Sequence, residues 1–365
     1  MKIKEFVQAF QDRIPLWQAE DFDNVGLLCG NPDREISGVL VAHDALESVV
    51  DEAIETNHNV IVAFHPILFS GLKSITGKNY VERAIVKAME NKIAIFAVHT
   101  AFDNDYFGVN FGICEALGLK DQKVLMPKKS DIMQMAVYVP SAFAEAVKDA
   151  LFQAGAGHIG FYDQCSFSIP GTGTFRPLAG SNPFSGSENM RENADEVMIS
   201  SIFESAKKNT ILSAVKNAHP YEEVAYQIYQ LENENHYLGL GRYGQLANEM
   251  DEPDFLHFVK ETFQLKVIRH SEFTGKKIKK VAVLGGSGAS GIAAAKNWGC
   301  DAYLTGDVKY HDFFQAENKI LFCDIGHFES EQFVTQQLFE LLSEKFTKFA
   351  ISKSRENTNP VNYFI

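Results

Sequence analysis

At 365 residues, 45% of them hydrophobic, the chain is long enough for two or three domains, each with its own core. A net charge of −13 argues against sequence-blind DNA or RNA binding, which leans on many Lys and Arg contacts to phosphate, and no run approaches the ~18 apolar residues of a membrane span. Five scattered cysteines without a C-x-x-C, and an N-terminal stretch broken by charges rather than built as a signal peptide, point to reduced thiols and a cytoplasmic protein.

Ile3, Phe6, Val7 and Phe10 predict a helix over 2–12. Asp23-Asn24-Val25-Gly26-Leu27-Leu28-Cys29-Gly30 reads as a turn with a short strand. Strands are expected at 38–42, 59–64 and 93–98, with helices near 46–57 and 79–91 between them. Short Val/Ile-rich runs alternating with amphipathic helices indicate βαβ units and a mostly parallel sheet. The rhythm changes near Pro127-Lys128-Lys129-Ser130-Asp131. Strand 132–139, helix 141–154, strands near 165–176 and 195–203, helix 205–218 and strand 223–231 follow. That is the β-α-β-β-α-β order of a ferredoxin-like unit, with a polar loop over 177–193 between its middle strands. From about residue 238 the first pattern resumes. It runs through strand 238–246, helix 252–264, strands 266–270 and 279–284, helix 289–298 and strand 302–305. A helix near 309–317, strand 319–325, a long helix 328–346 and strand 347–352 complete it. The expected architecture is an α/β host domain of residues 1–126 and 238–365, interrupted by an inserted ferredoxin-like domain of residues 127–237.

Four islands carry residues of metal-binding type: Phe64-His65-Pro66, His99-Thr100-Ala101-Phe102-Asp103, Thr305-Gly306-Asp307 and Gly326-His327-Phe328-Glu329-Ser330-Glu331. Each follows a run that reads as a buried strand, and ligand sites of open α/β sheets lie at strand carboxyl ends. His327 and Glu331 are four apart at a helix start, so one face carries both. Each residue also has an ordinary structural use, as a turn former or a helix-end charge. Their recurrence at several strand ends is what favours a metal. Imidazole and carboxylate without thiolate suit Zn, Fe or Mn better than a cysteine-rich structural zinc site.

Gly286, Gly288 and Gly291 form a G-x-G-x-x-G between a strand and a helix, with Asp307 downstream, which formally meets the dinucleotide fingerprint. A more modest reading has the amides of this turn bind a phosphate or carboxylate. Lys309, Tyr310, His311 and Asp312 are polar groups near a strand end, able to do acid–base work, or to form a helix start capped by Asp307. Gly173-Thr174-Phe175-Arg176-Pro177 and His219-Pro220-Tyr221-Glu222-Glu223 in the middle region read either as turns with packing or as a ligand or subunit contact.

Together these motifs, with Asp23-Asn24-x-Gly26-Leu27 and Gly285-Gly286-Ser287-Gly288, resemble the NIF-three-like dinuclear metal-centre family, also labelled GTP cyclohydrolase 1 type 2 homologues, in its longer form with a PII/CutA-like insert. The resemblance implies one or two divalent metal ions per subunit, held by His65, Asp103, His327 and a bridging Glu331. It also implies a toroidal homohexamer and a hydrolase acting on a small, nucleotide-like substrate, with His99 or His311 shuttling protons. The family's His-His-Pro pattern has its first His at the position of Phe64. One ion would therefore keep His65, Asp103 and Glu331. The other would keep only His327 and Glu331, unless water, His99 or another side chain completes it. The competing expectation is a non-catalytic metal-binding or regulatory hexamer whose insert senses or gates.

Overall fold

The structure, a computed structural model, describes residues 1–129 and 131–364. The expected boundary segment 127–131 includes Ser130, which lies outside the described residues. The fold is mixed α/β with three sheets of parallel and antiparallel strands. The chain divides into two compact units, one of residues Met1–Met126 with Tyr237–Ile365 and one of Pro127–His236.

In the larger unit a five-stranded sheet has the order Gly26–Cys29, Ala94–Ala97, Val60–Ala63, Gly38–Ala42, Ala350–Lys353. The last four run parallel and the first is antiparallel. The central segments VLVA, VIVA and AIFA are buried throughout, which is why they read as continuous apolar runs without alternation. Val39, Val41, Val60, Val62 and Phe64 face one core, while Leu40, Ala42, Ile61 and Ala63 face another under helices Glu47–Glu55 and Tyr80–Glu90. The second sheet has six strands: Arg269–His270, Leu321–Asp324, Ala302–Gly306, Ile278–Ser287, Asn235–Met250 and Lys120–Lys128. It is more mixed than the βαβ rhythm suggests, because antiparallel partners flank its three parallel central strands. Val281, Val283, Leu304 and Cys323 of this sheet share a core with the first sheet's Val39 face and with Phe6, Ile113 and Leu338 from helices. The two sheets thus bury one face each on a common helical layer, and their parallel strand ends lie on one side of it.

The smaller unit contains strands Ile132–Pro140, Phe167–Phe175, Glu192–Glu204 and Tyr226–Gln230, with helices Ala144–Gln153 and Lys208–Ala218. Its sheet order is Phe167–Phe175, Glu192–Glu204, Ile132–Pro140, Tyr226–Gln230, antiparallel throughout.

Glu52 fastens the C-terminal segment to the first sheet's outer helix. Its carboxylate accepts from Ser354 Oγ, from Arg355 N at 3.0 Å and from Arg355 Nε at 3.2 Å. Burial acts to raise its pKa, but these donors outweigh that and lower it. Glu52→Ala strands several donors, so urea denaturation at pH 7 should show a loss of about 1–3 kcal/mol. The sign with pH follows from the lowered value. Glu52's contribution is present above the ordinary glutamate range and fades as pH falls through its lower folded-state value, so the gap between variant and wild type should close in acid.

Candidate metal centre

Backbone pairing continues past the ends of the first sheet. Phe64 N donates to Ala42 O at 3.0 Å and His65 N to His43 O at 2.9 Å; His99 N donates to Phe64 O, also at 2.9 Å. Three neighbouring strand tips are thereby locked side by side, and each carries a histidine. From the second sheet, strand Leu321–Asp324 leads through Gly326 into the short helix His327–Glu331. Its i, i+4 spacing turns His327 and Glu331 toward the same place.

The side chains converge. Nε2 of His43 and of His65 each lie 3.4 Å from Glu331 Oε2, and Nε2 of His327 lies 3.3 Å from it. Glu331 is 3% exposed. The opposite nitrogen of every ring is held by a carboxylate. His43 Nδ1 sits 3.1 Å from Asp44 Oδ2 and His65 Nδ1 2.9 Å from Asp44 Oδ1. His327 Nδ1 is 2.7 Å from Asp307 Oδ2. Carboxylate partners at Nδ1 fix the tautomer that leaves Nε2 as the ligating atom, the usual outer shell of metal-bound histidines. Asp44 itself is steadied by Thr358 Oγ from the C-terminal segment. His65, His327 and Glu331 bring their ligand atoms within 4.8 Å of one another, a donor set for one divalent cation.

The charges agree with this. Burial acts to raise the Glu331 carboxyl, yet the three facing imidazoles hold it well below the ordinary range. Burial alone would lower His65 and His327, but their carboxylate neighbours lift them to about 10 and about 9 in the metal-free chain. Asp103 is raised, first by burial and then by the nearby Glu331 charge. It is 8% exposed and its Oδ1 has no hydrogen-bond partner. Buried Asn110 binds this segment to the glycine turn, donating to Asp103 O at 3.2 Å and accepting from Gly285 N at 3.0 Å.

His99 stands at the rim, its ring 5.3 Å from that of His65 and its Nδ1 2.9 Å from Asp23 Oδ1. Its backbone has a φ of +21°, an uncommon conformation for a residue with a side chain. Asp23 also accepts from Thr100 N at 3.0 Å; burial acts to raise its pKa, and these partners pull it down to about 2. That accounts for the Asp23-Asn24 motif, which positions the His99 turn. His311 lies elsewhere. It is exposed on the 3-10 helix Tyr310–Ala316, its ring against Tyr310 and Phe314.

The glycine motif does not present a phosphate cradle. Gly285, Gly286 and Gly288 N donate to Asn110 Oδ1, Ser330 Oγ and Thr305 Oγ, and Gly291 N to Gly288 O. The turn serves the centre instead: a Cβ built on Gly286, whose φ is +66°, would lie 2.3 Å from Glu331 Oε1. Asp307 is not the cap of the following helix either; it takes a left-handed φ of +53° and holds His327, while Asp312 accepts from Lys309 N at 3.2 Å.

The profile of Duf34/NIF3 (NGG1p interacting factor 3) matches residues 1–360. The chain belongs to the Duf34/NIF3 family. A Bacillus subtilis protein named GTP cyclohydrolase 1 type 2 homolog is 39% identical over 99% of this chain and 98% of its own length. A Staphylococcus epidermidis protein of the same name is 33% identical with full coverage of both. Among solved structures, a Bacillus cereus protein related to NIF3 superposes with a TM-score of 0.85 at 38% identity, covering 100% of this chain and 99% of that one.

Two residues of the family member's centre escaped the reading of the sequence: His43 and Asp44. They follow strand Gly38–Ala42 in a segment that resembles an ordinary polar turn. The available signal was alternation. Val39 and Val41 face the core, and His43 is next in that series. Besides His65, His327 and Glu331, the ligand atoms of His43, Asp44 and His65 also lie within 4.8 Å of one another.

Proposed function

We propose that this chain is a metal-dependent hydrolase acting on a small, nucleotide-like substrate. The observation that supports this most directly is the convergence of three carboxylate-anchored imidazoles on one buried carboxylate oxygen. The donor chemistry fits Zn, Fe or Mn. When bound, such an ion supplies a coordinated water of lowered pKa and positive charge for an electrophile. The protein's own part is to aim Nε2 of His65 and His327 at the centre by binding each Nδ1 to a carboxylate, so that an arriving ion would displace the Nε2 protons. Glu331 contributes charge from a site closed to bulk water. His99, anchored by Asp23, would relay a proton in this reading. A cavity of about 490 Å³ opens beside His43, His65 and His327, walled partly by Phe328 and Tyr363. It is large enough for a nucleoside-sized molecule and offers aromatic faces for a base. The relatives' name points to GTP as the first substrate to try. A closed ring of six subunits, implied by the sequence resemblance, is part of the same proposal.

The second reading, a regulatory metal protein, draws on the smaller unit. Its strand order supports a ferredoxin-like module, and it holds a cavity of about 840 Å³ lined by Tyr138, Phe175, Arg176, Phe184 and Tyr221 among others. Metal analysis combined with turnover assays on GTP and other nucleotides, before and after chelation, separates the readings. Metal-dependent turnover, abolished by chelation and restored by added ion, is the expected result. Bound metal without turnover on any nucleotide would favour the regulatory reading, and a metal-free chain that takes up no ion would refute both.

A further inference from the structure

Two motifs of the smaller unit have no part in the metal centre: Gly173-Thr174-Phe175-Arg176-Pro177 and His219-Pro220-Tyr221-Glu222-Glu223. Residues of both line that unit's cavity of about 840 Å³. Its floor is the sheet face turned away from the helices. Val137, Val139 and Ile199 pack with Val147, Leu151, Ile211 and Val215 of the helices, so the alternate residues Tyr138, Glu196 and Met198 lie on the opposite face. Gly171 pairs with Glu196 and Ile169 with Met198 in the neighbouring strand. The glycines keep the floor open. A Cβ on Gly173 would collide with Glu196 Oε2, and one on Gly171 would meet nothing within 4 Å.

The second motif sets the wall. His219 Nε2 donates to Tyr138 O at 2.8 Å, and its Nδ1 accepts from Tyr221 N at 3.1 Å. Tyr221 is thereby aimed across the sheet, and its Oη donates to Glu196 Oε1 at 2.9 Å. Burial, then the bond to Glu196, raises the Tyr221 phenol, so it keeps its proton and remains the donor. The rings of Phe175 and Phe184 each lie 5.9 Å from that of Tyr221. Asn182 N donates to Glu222 Oε1 at 2.8 Å, which ties the 177–193 loop to this turn. Glu196 is only 9% exposed, yet among the described residues no donor reaches its Oε2. A carboxylate is an acceptor only, and one this buried is normally satisfied. The cavity in front of it is where a donor can enter.

We propose that this cavity binds a flat, uncharged aromatic heterocycle of nucleoside size that carries an amino or ring N–H group, with Glu196 as its acceptor and Phe175, Phe184 and Tyr221 as its apolar walls. The inference holds under either reading of the metal centre. The volume falls in the range of small-molecule sites, and aromatic walls favour a planar ligand. An anion would meet the Glu196 carboxylate. A bare metal cation would find rings and prolines where it needs further oxygen ligands. An amino-bearing heterocycle answers both demands: its faces lie against the rings and its N–H completes Glu196.

The test is calorimetric titration of the full chain with adenosine, guanosine and purine riboside, which has the shape of adenosine without its amino group. Adenosine or guanosine should bind with a Kd on the order of 10–100 µM. Purine riboside should bind at least about tenfold more weakly, because it leaves Glu196 without a donor. Glu196→Gln should weaken the amino-bearing nucleosides by about tenfold and erase their advantage over purine riboside. Gly171→Trp, which puts an indole into the open floor, should abolish binding. If Glu196→Gln fails to fold by circular dichroism, Gly171→Trp carries the test, since its side chain enters empty space. Chelation should leave the affinity unchanged. Loss of binding on chelation would place the ligand at the metal centre and overturn the site. So would wild-type affinity in Gly171→Trp, equal affinity for all three nucleosides in the wild type, or no binding of any of them at millimolar concentration.

Discussion

Glu331→Gln should abolish tight metal binding, with affinity falling on the order of 100-fold or more, while the metal-free protein still folds. Three Nε2 atoms face one oxygen of this side chain at 3.3–3.4 Å. Glutamine matches its shape but removes the charge and turns an amide donor or a weaker carbonyl toward the same atoms. Among the described residues, no other carboxylate contacts Nε2 of all three rings. The cost to folding should be much smaller. A buried charge pair that loses one partner is destabilised only if the other must remain charged, and imidazoles can shed their protons. With Glu331 gone, the lift on His65 and His327 weakens, and both pass to their neutral forms at lower pH. Metal content by mass spectrometry and thermal melts with and without chelator measure the two effects separately. Wild-type metal content in Glu331→Gln would show that Glu331 is not a ligand.

The contrast between His65 and His43 shows what kind of residue sequence reading can find. His65, Asp103, His327 and Glu331 stand at the ends of apolar runs, each followed by a turn former or helix start. Burial on both faces makes strands such as Val60–Ala63 obvious, so whatever polar residue comes next is conspicuous. His43 also follows such a run, but Asp44-Ala45-Leu46 makes it look like turn chemistry. Its place at the centre depends on strand register, with Ala42 paired to Ala63, a relation between residues about twenty apart that no local pattern carries. The glycine motif fails in the opposite direction. G-x-G-x-x-G records where glycines are needed, not where amides point, and here Asn110, Ser330 and Thr305 take the amides that a phosphate would use.

Element boundaries teach the same lesson on a smaller scale. The segment 328–346 has continuous helical periodicity, yet the structure breaks it into His327–Glu331 and Val334–Lys345. Val334, Leu338 and Leu342 must face the central core, whereas Glu331 must enter the metal centre. The break at Gln332-Phe333, with Gln332 Nε2 donating to Phe263 O at 3.0 Å and Glu329 O at 2.8 Å, lets both happen. The helices His99–Asn104 and Val109–Ala116 were not expected at all. They are short, and their N-cap residues Val98 and Gly108 make no side-chain capping hydrogen bond, so tertiary packing rather than propensity sets them.

Gly286→Ala should lose metal nearly as completely as a ligand substitution, although glycine ligates nothing. Its φ of +66° already disfavours a side chain, at a cost of about 1–3 kcal/mol. The new methyl would sit 2.3 Å from Glu331 Oε1 and 3.4 Å from His327 Nε2. Glu331 is buried and its backbone is held by a five-residue helix, so it cannot swing away without leaving the imidazoles. Nor can the turn recede freely, because Gly286 N is bound to Ser330 Oγ at 2.9 Å on that same helix. Gly275→Ala provides the comparison. Gly275 has a similar φ of +73°, but open space around its Cβ. Both variants should melt earlier than wild type, from backbone strain, but only Gly286→Ala should show metal affinity reduced by at least about tenfold, since misplacing a supporting group alone costs 10–100-fold. Equal metal affinity in the two variants would mean that the glycine turn is tolerant of a methyl group and that the position of Glu331 does not depend on it.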